Sequence, residues 1–161
     1  MTGAIVVFLD AALERAVLSP AERGLPLVWR AGPTGLPPGG AGVSEVAFTP
    51  TGLYDRPWSP AHLRHRARAD GGIDLTWIPR SRLDGDRWEG PVRPADPPRY
   101  RVRVLSAGEQ VRSLEVEGET ATYEAGDILA DFPESLIGAE AAVAQWGEAY
   151  GWGVEARTPL V

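Results

Sequence analysis

Alternation of apolar with mostly polar residues is the strongest constraint this sequence places on its fold. Ile73, Leu75 and Trp77 alternate with Asp74, Thr76 and Ile78. Tyr100, Val102 and Val104 alternate with Arg101, Arg103 and Leu105, and Leu63, His65 and Ala67 with Arg64, Arg66 and Arg68. A period of two puts successive side chains on opposite faces of an extended chain. One apolar face therefore means half-buried antiparallel strands. The 19 Gly and 15 Pro among 161 residues fall between such runs, so they read as turns between short strands and not as disorder. Apolar residues at 43% are enough for a core. The expected fold class is all-β.

Along the chain, residues 4–9 read as a buried strand and not as a leader, since no basic segment precedes the apolar run. Residues 11–18 fit a helical turn or another strand. Ser19 and Pro20 mark a short helix start, as N-cap and first helical residue. Residues 25–30 read as an edge strand, because Pro26 has no N–H to donate. Residues 32–42 are a Gly- and Pro-rich loop without the Gly-Lys-Ser/Thr of a phosphate loop, and 43–49 form another strand. Tyr54 to Pro60, with two prolines, is a stiff boundary. The expected division is 1–55, a small β-rich segment, and 56–161, a sandwich. Residues 111–116 and 120–123 follow as strands with a turn at Gly118-Glu119. Residues 139–150 are Ala-rich, which favours a helix. Their place in a strand series and Gly147 favour a strand, which is the reading adopted. Residues 153–160 form the last strand.

Charge and composition narrow the function. The net charge is −6, all 16 basic residues are Arg, and there is no Asn and no Cys. Codon bias in a GC-rich bacterial or phage genome accounts for the Arg-for-Lys pattern. Without Cys there are no disulfides and no thiolate metal sites. Beyond Ser113 the only basic residue is Arg157, against ten acids. That acidic third repels phosphates, so no nucleic-acid partner is expected. It is either a solvated face or a docking face for a basic partner. No run of apolar residues is long enough for a membrane-spanning helix.

Chemistry-bearing residues are few. His62 and His65, three apart on a strand, face opposite ways and are expected as one exposed and one packed residue, with no shared metal. Asp84-Gly85-Asp86 fits a turn and lacks the ligand spacing of a calcium loop. Glu115, Glu117 and Glu119 are expected to be solvated. No Ser lies in a nucleophile elbow. No catalytic residue, cofactor or metal is expected, and the chain is read as a non-enzyme. Trp88, flanked by Arg82, Arg87 and Arg93, is either an interface hot spot or a lid on the sandwich edge, since Trp and Arg dominate interface energetics. Trp58 and Trp152, near the two domain ends, are candidates to seal the interdomain junction, and Trp77 is expected in the core. The expected partner-binding set is Arg82, Arg87, Trp88, Arg93 and Trp152.

Ser59-Pro60-x-x-Leu63, Trp77, Tyr100-x-Val102-x-Val104, Tyr123, Val143-x-Gln145 and Gly151-x-Gly153 together resemble a fibronectin type III domain over 58–161. The runs Arg56-Pro57-Trp58-Ser59-Pro60-Ala61-His62-Leu63-Arg64, Leu75-Thr76-Trp77-Ile78-Pro79-Arg80-Ser81-Arg82 and Asp84-Gly85-Asp86-Arg87-Trp88-Glu89-Gly90 resemble the C-terminal part of the large baseplate hub (megatron, host-specificity) protein of gene transfer agents and siphophage tails. That resemblance implies a virion structural protein at the tail tip, assembled in the bacterial cytoplasm. It implies docking of tail fibre or neighbouring baseplate proteins and a homo-oligomer, a trimer in the family. The family's enzymatic barrel has no counterpart in this far shorter chain, so no activity carries over. The chain is then a fragment, a split gene or a stand-alone relative, with 1–55 as the end of a preceding hub-like domain. The rival expectation is a carbohydrate-binding or adhesion module for host surface glycans, which needs Trp88, Trp146, Tyr150 and Trp152 on one flat face.

Overall fold

Extended backbone with outward arginines and inward valines dominates the chain. The computed structural model describes residues 17–37, 39–81 and 98–161. Two units divide the protein, Met1–Thr51 and Gly52–Val161. The strand expected over 4–9 and the Asp84-Gly85-Asp86 turn lie outside the described residues.

In the first unit, a 3-10 turn spans Pro20–Glu22. The Ser19 N–H donates to Glu22 Oε2 at 2.7 Å, which satisfies one of the donors a helix start leaves open. Strand β1 (Leu27–Ala31) pairs antiparallel with β2 (Ser44–Phe48). Pro26 sits just outside β1, where its missing N–H costs no ladder bond. Leu27 opposes Phe48 and Trp29 opposes Val46 on one face, while Arg30 and Glu45 form an ion pair at 2.5 Å on the other.

The second unit is a two-sheet sandwich. Strands β3 (Ala61–Ala67), β4 (Ile73–Ile78) and β7 (Thr120–Tyr123) form one sheet in the order β3-β4-β7. Strands β5 (Arg99–Ser106), β6 (Glu109–Glu117), β8 (Ala139–Gly147) and β10 (Ala156–Pro159) form the other in the order β10-β8-β5-β6, with β9 (Gly151–Trp152) paired to the end of β8. All pairings are antiparallel. Three strands against four in this order make a fibronectin type III-like sandwich. The Ala-rich segment is a strand. In β8 the residues Ala139, Ala141 and Val143 face the core, and methyl-sized side chains there let the opposing sheet bring in bulky ones.

Those bulky residues are the alternating ones. Ile73, Leu75 and Trp77 from β4 meet Tyr100, Val102 and Val104 from β5, with Tyr123 and Leu160 closing the ends. Trp77 packs edge-on against Tyr100 with ring centroids 5.2 Å apart, a geometry favoured by the ring quadrupoles. Burial, reinforced by the Glu119 charge, pushes the Tyr100 hydroxyl up to about 12. The β5–β6 hairpin turns through Ala107 and Gly108, both at positive φ (50° and 86°), which matches the twist of the two strands.

Two features differ from expectation. Both histidines are exposed, not one. His65 is inward by register, opposite Leu75, but β3 is an edge strand and leaves it uncovered. His62 sits in a bulge between Ala61 and Arg64, at φ 52°. The sequence reading also contained no helix after β7, yet α1 spans Ala125–Asp131. It is held by Ile128 and Phe132, four residues apart on one face, packing against the core.

Proline-rich residues 56–60 enter the sandwich beside the β9–β10 connection. The Val154 N–H donates to the Pro57 carbonyl at 3.1 Å. A Cβ at Gly153 would lie 2.6 Å from that carbonyl oxygen and 2.7 Å from the Pro57 Cβ. Gly153→Ala should therefore displace the entry segment and cost about 1–3 kcal/mol through overpacking. The check is a thermal melt, and an unchanged midpoint would contradict the close approach.

Candidate docking surface

The outward face of the four-stranded sheet carries the densest group of interface-type side chains among the described residues. Its construction follows from register. The pleat sends Arg99, Arg101 and Arg103 of β5 outward, in line with Tyr100, Val102 and Val104 going inward. Their cross-strand neighbours on β8 are small. Arg101 opposes Ala144 and Arg103 opposes Ala142. Both alanines are fully buried although they alternate with the core-facing Ala141 and Val143.

At one end of this face two tryptophans meet. Trp146 of β8 pairs with Trp152 of β9, ring centroids 4.9 Å apart at 74°. The Arg99 guanidinium lies 4.9 Å from the Trp146 centroid and 5.5 Å from that of Trp152. The Arg101 guanidinium lies 4.9 Å from Trp152. These are cation–π distances. Glu115 of β6 completes the row, accepting from Arg99 Nε at 3.1 Å and also from its Nη2. Further along, Glu155 accepts from Arg103 Nε at 2.7 Å and from Arg157 Nη2 at 3.2 Å. The face is thus a ladder of planar groups, each fixed by its neighbours. Holding them in place before a partner arrives lowers the ordering cost of binding.

The expected partner set is only partly testable against this geometry. Arg82, Arg87, Trp88 and Arg93 lie outside the described residues. Trp152 is placed in the ladder. Trp146 was expected only as part of the aromatic face of the glycan reading, and Arg99 and Arg101 were not singled out as a site from sequence, although the alternation on β5 was visible. Trp58 is half-buried, with the Arg80 guanidinium 4.6 Å from its centroid. Glu115, Glu117 and Glu119 are exposed. Among the described residues no group of three or more His, Asp or Glu is placed to hold a metal, and no helix is long and apolar enough to cross a membrane.

A second polar cluster is structural. Arg112 of β6 donates to Asp131 of α1 through Nε (2.6 Å) and Nη2 (3.1 Å), and Nη1 lies 3.1 Å from Asp127. The Tyr123 hydroxyl donates to the same Asp131 carboxylate at 2.7 Å. Hydrogen bonds from Arg112, then from Tyr123, hold Asp131 below the usual carboxylate range. This clasp ties β6, β7 and α1 together.

No family model matches the chain, and no curated protein matches it in sequence. Solved structures with a distant likeness include the following two. The extracellular region of rat CD45, domains d3–d4, is 13% identical at TM-score 0.44, covering 99% of this chain and 75% of that one. The Clostridium perfringens spore cortex lytic enzyme SleM is 11% identical at TM-score 0.41, covering 81% of this chain and 37% of that one. Likeness this distant carries no argument about function, and the fold assignment rests on the strand order itself.

Proposed function

We propose that this chain is a non-catalytic docking module of a phage-tail-like particle. It binds a neighbouring tail or fibre protein through the Trp146, Trp152, Arg99 and Arg101 end of the four-stranded sheet. The observation that carries this reading is the Trp–Arg ladder on a rigid strand pair. Trp and Arg are the residues that most often supply large binding energies at protein interfaces. The matching surface on the partner offers carboxylates for the guanidinium edges and an apolar patch for the indoles. The tail setting is drawn from the resemblance over residues 56–90.

Glycan recognition fits the same site less well. A sugar stacks flat on an open aromatic face. Here Trp146 and Trp152 stand edge to face, and guanidinium groups already lie over both rings.

The test is Trp152→Ala in a strain that makes the particles. The folded protein should survive, since Trp152 is only half-buried. Its incorporation into particles, measured by quantitative mass spectrometry, should fall about tenfold or more, as for a hot spot of at least about 2 kcal/mol. Wild-type incorporation of a folded variant would remove this face from the interface. Loss of binding on a glycan array, with particle incorporation intact, would move the function to sugar recognition.

A further inference from the structure

The bulge in β3 makes a concave site on the three-stranded sheet. The register passes from Ala61–Ile78 to Arg64–Thr76, so His62 and Leu63 together face the single residue Trp77. His62 takes φ 52°, a left-handed conformation that residues with a Cβ disfavour. Ala107, the other described non-glycine residue at positive φ, merely turns a hairpin. His62 instead sits at an open groove of about 390 Å³, lined by His62, Arg64, Thr76, Trp77 and Ile78. Backbone held in such a conformation gathers at binding sites.

The arginines indicate what the groove takes. Every other described arginine holds a polar or aromatic partner. Arg64 and Arg66 alone have none among the described residues, and both are exposed. Arg64 stands opposite Thr76, and Thr76 stands opposite Thr120, so two exposed hydroxyls continue the row from its guanidinium. The carboxylate on these strands, Asp74, is opposite Arg66 and is already engaged by Thr122 Oγ1 at 3.0 Å and by Arg68 at 3.6 Å. The Arg64 end of the row is therefore cationic and rich in donors.

We propose that this groove binds the phosphoryl group of a phosphate ester. The Arg64 guanidinium donates to it as a planar fork, the geometry that suits phosphate oxygens. The His62 ring N–H and the Thr76 hydroxyl are the further donors. Three donors on two strands converge from different directions. A tetrahedral phosphoryl group offers three strong acceptor oxygens to match them, whereas a flat carboxylate offers two in one plane. Ile78, 54% exposed, gives an apolar wall for the carbon that carries the ester. The groove is on the opposite sheet from the Trp–Arg ladder and shares no residue with it, so the proposal stands apart from the docking reading.

Amide NMR on the full chain in phosphate-free buffer tests it, by titration with methyl phosphate, dimethyl phosphate and acetate against sodium chloride at matched ionic strength. Methyl phosphate should give saturable shifts centred on residues 61–64 and 76–78. Arg64→Gln should weaken binding about tenfold or more, the scale of a hydrogen-bonded charge contact. His62→Gly should weaken it about threefold, the scale of one neutral hydrogen bond. Both variants should melt near wild type, because Arg64 is exposed and glycine takes positive φ freely. If Arg64→Gln melts early, Arg64→Lys replaces it, keeping the charge and losing the fork. The two esters separate the sources. Equal binding of dimethyl phosphate assigns the groove to a phosphodiester of an anionic polymer, and preference for methyl phosphate assigns it to a terminal phosphoryl group. Shifts from both esters no larger than those from chloride overturn the proposal. So do shifts centred elsewhere, acetate binding as tight as methyl phosphate, or affinity unchanged in both variants.

Discussion

Trp77→Ala should cost about 3–5 kcal/mol, the range for deleting a buried aromatic side chain. That is a large part of the total stability of a domain of this size, and at several degrees per kcal/mol the midpoint should fall by about 15 °C or more. The reason is position. Trp77 is 4% exposed and spans the gap between the sheets, with Ile73 and Leu75 on its own strand and Tyr100 edge-on from the facing one. The alanines of β8 cannot move in to fill the hole, because their backbone is fixed by pairing to both β5 and β10. Differential scanning calorimetry decides it, and a midpoint within a few degrees of wild type would contradict this packing.

Asp131→Asn should cost about 2–3 kcal/mol, the scale of hydrogen bonds to a charged group in a partly buried pair. Asparagine offers one acceptor oxygen and sets its NH2 against Arg112 or Tyr123, which are both donors to Asp131. The pH dependence has a definite sign. The folded-state pKa of Asp131 lies below its ordinary 3.8. The clasp therefore contributes fully above that ordinary value and is lost as pH falls through the folded value, where the unfolded chain binds more protons. The stability gap between wild type and Asp131→Asn should be constant from neutrality down to about pH 5 and narrow below it. Tyr123 acts at the other end. Burial first, then the bond to Asp131, raises its pKa above the usual 10. Its contribution is complete below 10 and is lost as pH rises through the folded value. Urea melts across pH for both proteins check the two limbs, and a gap that widens in acid would contradict the clasp.

Much of the sandwich could be read from local pattern. Ile73 to Trp77 and Tyr100 to Val104 alternate without a fault, and each becomes a strand with the expected face buried, whereas Leu105, expected on the outer face, is buried after a register shift that follows Val104. The Ala-rich segment was harder, since propensity and context disagree there. Context prevailed because β8 lies between two strands and pairs with both over residues 140–143. The helix α1 was not legible. Gly126 lies inside it, and its apolar stripe reduces to Ile128 and Phe132, too short for a periodic signal. The clasp was also hidden, because nothing local ties Arg112 to a carboxylate 19 residues away. The ladder lies between these cases. The outward placement of Arg99 and Arg101 follows from alternation. That Trp152 folds back onto Trp146 depends on the β8–β9 hairpin, which the sequence reading did not contain. The exposure of His65 came from the edge position of β3, a property of sheet order and not of the strand itself.

The central claim is that the Trp–Arg face is covered by another protein in an assembled particle. All 16 basic residues are Arg, so amine-directed cross-linkers find almost nothing to attack on this chain. Hydroxyl-radical footprinting suits it better, because Trp146 and Trp152 are reactive reporters at the site itself. Oxidation of these two residues, read by mass spectrometry, is compared between the purified chain and intact tail-like particles containing it. The account predicts strong protection of both tryptophans in the particles, with exposed Tyr54 as the internal reference. Equal oxidation in the two samples, or absence of the chain from the particles, would contradict it.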